Sequence, residues 1–305
     1  MDAIIAENIV KNYGSKKELV SALKGISLSV KKGELFGIIG PDGAGKTSLF
    51  RILTTLLLAD EGTASVNGFD VVEEYKSIRQ CVGYMPGRFS LYQDLTVAEN
   101  LSFFATIFNT SIEENYDLVK DIYSQLEPFK DRKAGALSGG MKQKLALCCA
   151  LIHRPEVLFL DEPTTGVDAV SRKEFWEMLK DLKKQGITIL VSTPYMDEAS
   201  LCDRVALMQD GKILSIDTPE GIIDSFEKPL YAARADNMFK LLEKLKSLDS
   251  VENSYPFGEF HHVIFKADPT QNELLELKNS MPDDQLEIKP VKPDIEDCFI
   301  ELMGN

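Results

Sequence analysis

The sequence predicts an α/β domain followed by a smaller α+β domain, and three observations carry that expectation. Leu35-Phe36-Gly37-Ile38-Ile39 is a continuous apolar run of strand length that enters a glycine-rich turn and then a helical stretch. Residues 157–160 form a second apolar strand, which ends on the adjacent acids Asp161 and Glu162. Beyond Pro219 the pattern becomes β-α-β-β-α-β, the order of a ferredoxin-like unit. Charge changes at the same place. Residues 216–305 carry 19 acidic and 9 basic side chains, so −10 of the net −14 lies there. The predicted boundaries are 1–222 for the first domain, with a helical subdomain at about 88–155, and 223–305 for the second.

Taken in order, residues 3–9 and 25–30 read as strands, the second alternating polar and apolar. After the strand at 35–39 comes a helix at about 46–57, then a strand at 62–67 and another at 82–86. Residues 95–151 are helical, broken at 109–111 and 134–140. Helices at 169–184 and 196–201 flank a strand at 188–192. Strands at 203–208 and 212–216 meet across Asp210-Gly211, a strong turn dipeptide. In the second domain the strands are 229–234, 251–256, 260–266 and 285–291, and the helices are 237–247, 270–280 and 294–302.

Composition narrows the function. The net charge of −14 argues against a nucleic-acid-binding surface, which needs a basic stripe. The five cysteines have no zinc or CxxC spacing and read as reduced thiols of a cytosolic protein. Neither a signal peptide nor a run of 18 apolar residues is expected, so any membrane role passes through a partner.

Gly40-Pro41-Asp42-Gly43-Ala44-Gly45-Lys46-Thr47 matches the phosphate-loop pattern G-x-x-x-x-G-K-[ST]. Its glycines, with Ala44, let the backbone wrap phosphates with N–H groups turned inward, and the following helix aims its positive end at them. Lys46 is expected on the β- and γ-phosphates and Thr47 on Mg²⁺, with Ser48 a further hydroxyl close by. Asp42 gains nothing beside phosphates and is expected to turn outward. Asp161, at its strand end, can hold Mg²⁺, and Glu162 can orient the attacking water as general base.

A third motif separates this chain from other phosphate-loop proteins. Leu137-Ser138-Gly139-Gly140-Met141-Lys142-Gln143-Lys144 resembles the signature of ABC ATPases. Ser138, Gly139 and Gly140 at a helix N-terminus make a second anion site. Asp161-Glu162-Pro163-Thr164-Thr165-Gly166-Val167-Asp168 is similar to the family's Walker B and D-loop, and residues 95–101 to the segment entering its helical subdomain. Tyr13 sits where the family places an aromatic that stacks on adenine. The resemblance covers about residues 3–225 and is to the ATPase subunits of ABC-2-type exporters. Residues 292–299 are similar to that group's C-terminal extension.

The resemblance implies a P-loop NTPase fold of the ABC type and an ATPase that uses ATP and Mg²⁺. It implies a second ATPase subunit, identical or not, whose γ-phosphate is closed over by residues 138–140. It also implies ABC-2-type transmembrane permease subunits, and a place on the inner face of the cell membrane. Two positions depart from the family pattern. Gly87 replaces a glutamine that contacts Mg²⁺ and water, and Pro194 replaces a histidine that holds the γ-phosphate. Proline has neither a side-chain donor nor a backbone N–H. The expectation is a degenerate site in an export ATPase. The alternatives are a DNA-repair or translation ATPase of the same superfamily, or an ATP-binding regulatory subunit without hydrolysis. Residues 60–136 lack the heptads the first would need.

Overall fold

The computed structural model describes residues 1–15, 18–280 and 285–304. The chain divides into two compact units, Met1–Glu220 and Gly221–Asn305.

The first unit opens with a long hairpin, β1 (Asp2–Ser15) and β2 (Glu18–Lys31), followed by β3 (Leu35–Ile39) and α1 (Lys46–Leu53). Next come β4 (Glu61–Val66), β5 (Phe69–Asp70), α2 (Tyr75–Cys81) and β6 (Val82–Met85). The helical part holds α3 (Val97–Ile107), α4 (Tyr116–Tyr123) and α5 (Gly139–Leu151). Then follow β7 (Val157–Asp161), α6 (Ala169–Lys184), β8 (Thr188–Thr193), a 3₁₀ turn (Met196–Leu201), β9 (Arg204–Gln209) and β10 (Lys212–Asp217). The division between units falls inside α7 (Pro219–Asp224).

An antiparallel sheet of order β2-β1-β4-β5 accompanies a six-stranded sheet of order β10-β9-β3-β8-β7-β6. Strands β9, β3, β8, β7 and β6 run parallel. The apolar runs β3 and β7 are buried at every residue, as expected of inner strands of a parallel sheet covered on both faces. Phe50 of α1 meets Phe159 of β7 edge to face at 6.0 Å, anchoring the helix that follows the glycine-rich loop.

Several boundaries differ from the sequence reading. The first helix ends at Leu53, not near 57, because Thr55 adopts φ 63° and Leu56 and Leu57 both donate to the Arg51 carbonyl. Of the leucines in that stretch, Leu56 is 57% exposed, while Leu57 is partly buried against the core. Strand β2 begins well before residue 25, since the hairpin pairs Tyr13 with Val20. Helices α2 and α7 have no counterpart in the sequence reading. α3 starts on a capping box formed by Thr96 and Glu99 and ends at Ile107, two residues before the left-handed Asn109, φ 52°.

The second unit contains β11 (Leu230–Arg234), α8 (Met238–Lys246), β12 (Val251–Phe257), β13 (Phe260–Phe265), α9 (Gln271–Asn279), β14 (Glu287–Pro290) and α10 (Ile295–Gly304). Its sheet is antiparallel, of order β12-β13-β11-β14, with a register irregularity between Val251 and Asn253. That order is the one a split βαβ pair produces. Ala233, Val263 and Phe265 pack with Leu241, Leu245 and Leu277 in the unit's core. The preceding residue on β13, His262, bonds instead to α10: its Nδ1–H donates to Asp297 Oδ1 at 2.6 Å. The Tyr255 hydroxyl donates to the same oxygen at 2.7 Å, and the Asp294 N–H donates to Oδ2 at 2.9 Å. Asp297 is fully buried. Truncating it strands three donors, so Asp297→Ala should lower the unfolding free energy of this unit by about 3 kcal/mol. Hydrogen exchange of the β13 amides measures that loss directly.

Candidate nucleotide site

The glycine-rich loop leaves the C-terminal end of β3 and closes on α1. Its backbone runs very near other backbone. A Cβ at Gly40 would lie 2.0 Å from the Met208 carbonyl oxygen, and one at Gly45 2.4 Å from that of Ala22. Gly45 also has φ 105°, a conformation that glycine adopts without penalty. Gly211 N–H donates to the Ala44 carbonyl at 3.0 Å, fixing the loop from the β9–β10 turn. Gly43, φ 83°, has nothing within 4 Å of a built Cβ, so its backbone is open on that side. Asp42 is exposed, as the sequence reading has it.

Lys46 is buried, and its ammonium donates to the carbonyls of Gly40 (2.7 Å) and Pro41 (3.0 Å). It also pairs with Glu162 Oε1 at 3.1 Å. Thr47 and Ser48 follow in the first turn of α1, and the Ser48 hydroxyl lies 3.1 Å from that of Tyr13. The Tyr13 ring is therefore tied to the phosphate loop while remaining 38% exposed. This places Tyr13, residues 40–48 and Glu162 together.

Ser192 of β8 organises the two acids. Its hydroxyl donates to Asp161 Oδ1 at 2.7 Å and accepts the Glu162 N–H at 3.0 Å. Glu162 has φ 51°, a left-handed conformation uncommon outside glycine and found disproportionately at functional sites. Tyr84 of β6 stands beside this pair; burial first, then the Asp161 charge, pushes its hydroxyl up to about 12. Thr47 and Asp161 offer only oxygen donors. Among the described residues no cluster of three or more His, Cys, Asp or Glu could cage a metal. This donor set suits a hard cation completed by phosphate and water, as Mg²⁺ usually is.

Gly87 follows β6 and faces the first acid: a Cβ there would lie 3.0 Å from the Asp161 carbonyl oxygen and 3.8 Å from its Cγ. Pro194 follows β8 directly after Thr193, whose carbonyl accepts the Gly40 N–H at 3.2 Å. Position 87 therefore flanks the first acid, and position 194 follows the residue that holds the loop. No histidine takes the place of Pro194. His153 bonds to the Val82 carbonyl and stacks on Phe108, while His261 and His262 belong to the second unit.

Residues 138–140 stand at the start of α5. Ser138 caps α5, accepting the Met141 N–H at 3.4 Å. A Cβ at Gly140 would lie 2.7 Å from the Ser171 hydroxyl, so the start of α5 packs on the start of α6. There Asp168 accepts from Val170 N, Ser171 N and Ser171 Oγ, which hold its carboxyl below the usual range. The sequence reading missed Ser192 and the Lys46–Glu162 pair. It also missed Asn100, which is fully buried and bonds to the backbone of Tyr92, Leu95 and Thr96. Beside the loop that Asn100 holds is a groove of about 410 Å³, whose lining includes Leu56, Met85, Leu91, Phe104 and Ile107.

Comparison with known proteins agrees with this geometry. The family model described as ABC transporter matches residues 23–165. The probable multidrug ABC transporter ATP-binding protein YbhF of Escherichia coli (strain K12) is 38% identical over 309 residues, covering 99% of this chain; the chain spans only 52% of that relative's length. The daunorubicin resistance ATP-binding protein DrrA2 of Streptomyces coeruleorubidus is 32% identical over 320 residues, covering 99% of this chain and 95% of its own. Among solved structures, the dimeric ATP-binding cassette MJ0796 with ADP and Pi matches with a TM-score of 0.64 and 27% identity, over 70% of this chain and 98% of its own. With the loop, the paired acids and the 138–140 segment in place, and with relatives of this extent, the chain belongs to the ABC transporter ATP-binding proteins.

Proposed function

We propose that this chain binds Mg-ATP and couples its hydrolysis to export by separate ABC-2-type transmembrane subunits, working at the inner face of the membrane with a second ATPase subunit. The observation that carries the reading is the gathering of Lys46, Glu162, Asp161 and Tyr13 around one phosphate loop. Loop N–H groups and the α1 N-terminus bind the phosphates, and Lys46 supplies the full positive charge. Thr47 and Asp161 are the residues that would hold Mg²⁺, which supplies charge neutralisation at the phosphates when bound. Glu162 leaves Lys46 to orient water toward the γ-phosphate. Residues 138–140 complete the site of the second subunit. No described helix is long and apolar enough to cross a membrane, which fits a subunit that reaches the bilayer through partners.

Gly87 and Pro194 weaken this chain's own site, because both stand where a side-chain donor would meet the phosphate or water. ATP held there acts as a clamp while a partner's site turns over. This favours an unlike pair of ATPase subunits. The membrane subunit docks at residues 88–95 and the adjoining groove. Tyr92 is exposed on the Phe103 ring, at 4.8 Å between centroids, and Phe89 is half-buried under the Lys142 ammonium. Exposed aromatics beside an apolar groove suit an amphipathic segment of a partner.

Three measurements test these readings. Lys46→Ala should weaken ATP binding about 10–100-fold by calorimetry, the loss expected for charge-assisted bonds to phosphate. Unchanged affinity removes the phosphate-loop assignment.

Cysteine placed at Ser90 should cross-link to a membrane subunit in the assembled transporter, while cross-links formed only elsewhere move the docking site.

The purified chain should bind ATP but hydrolyse it slowly, since one missing positioned group commonly costs about 10²–10⁴-fold. Gly87→Gln with Pro194→His should raise the rate, and Glu162→Gln should abolish the gain. The glutamine requires the Asp161 carbonyl to yield by a few tenths of an ångström. Losses within one constellation do not multiply, so the gain is read as a direction. A parent chain that hydrolyses ATP rapidly without a partner makes Gly87 and Pro194 neutral.

A further inference from the structure

One buried carboxylate near the site has no part in the scheme above. Glu198 lies in the Met196–Leu201 turn and is 2% exposed. Its Oε2 accepts the Thr193 hydroxyl at 2.5 Å, at the end of β8, and the Thr164 hydroxyl at 3.1 Å, in the segment leading to α6. Its Oε1 accepts no hydrogen bond and faces Arg172 Nε at 3.9 Å. Arg172, on α6, also lays its guanidinium over the Tyr195 ring at 4.5 Å. A buried carboxylate is retained against its desolvation cost only when its partners compensate, and here one partner, Thr193, is bonded to the phosphate loop. Thr193 receives the first N–H of the phosphate loop through its carbonyl, and its neighbour Ser192 orients both Asp161 and Glu162. Pro194 comes next and contributes no donor, so the placement of this segment falls to Thr193 and Glu198.

We infer that Glu198 is a positioning residue of the nucleotide site and that, through Arg172, it carries nucleotide occupancy to α6. The inference rests on the reading of the loop as an ATP site. Phosphates seated on the loop displace the Gly40 N–H against Thr193. Glu198 passes that shift to Arg172, and Arg172 passes it to the residues one turn along α6. One of those is Trp176, the chain's single tryptophan, 2% exposed and with an unpartnered Nε1. Arg172, Trp176 and Glu198 line one cavity of about 300 Å³ between α6 and the 3₁₀ turn. The tryptophan is thus a built-in reporter of the link.

The test measures Trp176 emission on the full chain as Mg-ADP or Mg-ATP is added, with nucleotide affinity measured in parallel by calorimetry. In the parent, saturating nucleotide should shift the emission. Glu198→Gln keeps the size of the side chain, and Thr193→Val removes one hydroxyl. At saturating nucleotide each should cut the amplitude at least about threefold, by more than its affinity falls, a coupling loss of ordinary size. Arg172→Met should do the same. Parental amplitude in the variants overturns the inference, and so does an amplitude that falls only in step with affinity. If Glu198→Gln does not fold, Thr193→Val and Arg172→Met decide the matter by the same two readings. A parent that binds nucleotide without any emission change overturns the inference alone. A parent that binds none overturns the ATP reading, and this inference with it.

Discussion

The site depends on how closely the phosphate loop's backbone lies against neighbouring backbone. Gly40 abuts the Met208 carbonyl and Gly45 that of Ala22, at distances no side chain tolerates. These contacts bind the loop to β9 and β2 at once. The hydrogen bond from Gly211 to Ala44 and that from Lys24 to the Gly211 carbonyl add the β9–β10 turn to the same junction. A loop held this way is largely ordered before any ligand arrives, so binding has only a small shift at Gly40 left to make. The lysine, the two acids and Tyr13 are then brought to a fixed frame.

The rest of the site extends outward from that frame through β8. Thr193 takes the Gly40 N–H, Ser192 holds Asp161 and Glu162, and Glu198 holds Thr193. The strand thereby ties the phosphate side of the pocket to its acids. Lys46 and Glu162 neutralise each other at 3.1 Å within this arrangement. In the proposed mechanism a triphosphate draws the lysine away before the glutamate turns to water, which makes binding and activation sequential in the same pair of side chains.

Much of this was legible in the sequence where a local pattern carries the physics. Residues 40–47 specify a tight anion-binding turn by themselves, and a strand ending in Asp161-Glu162 places two acids at one sheet edge. Ser138 before two glycines marks a helix start, which the capped α5 matches. What stayed hidden depends on contacts distant in the chain. Ser192 is one more small polar residue at a strand end until the fold sets it 2.7 Å from Asp161. The early end of α1 at Leu53 turns on the left-handed Thr55, which no pattern around it signals. In the second unit the strand at 260–266 was readable, but the hydrogen bonds from His262 and Tyr255 to Asp297 join residues about 35 to 42 positions apart.

The edges of the second unit's sheet bear on how the protein behaves when crowded. Strand β14 presents Lys289 and ends in Pro290, and β12 carries Pro256 and the irregular register at Val251. Proline cannot donate to a new ladder, and a lysine or a bulge discourages a flat approach. Chains at high concentration would otherwise be prone to join strand to strand into open-ended stacks. With both borders blunted, such crowding leaves the sheets separate, and encounters between chains are left to side-chain surfaces that can discriminate one partner from another.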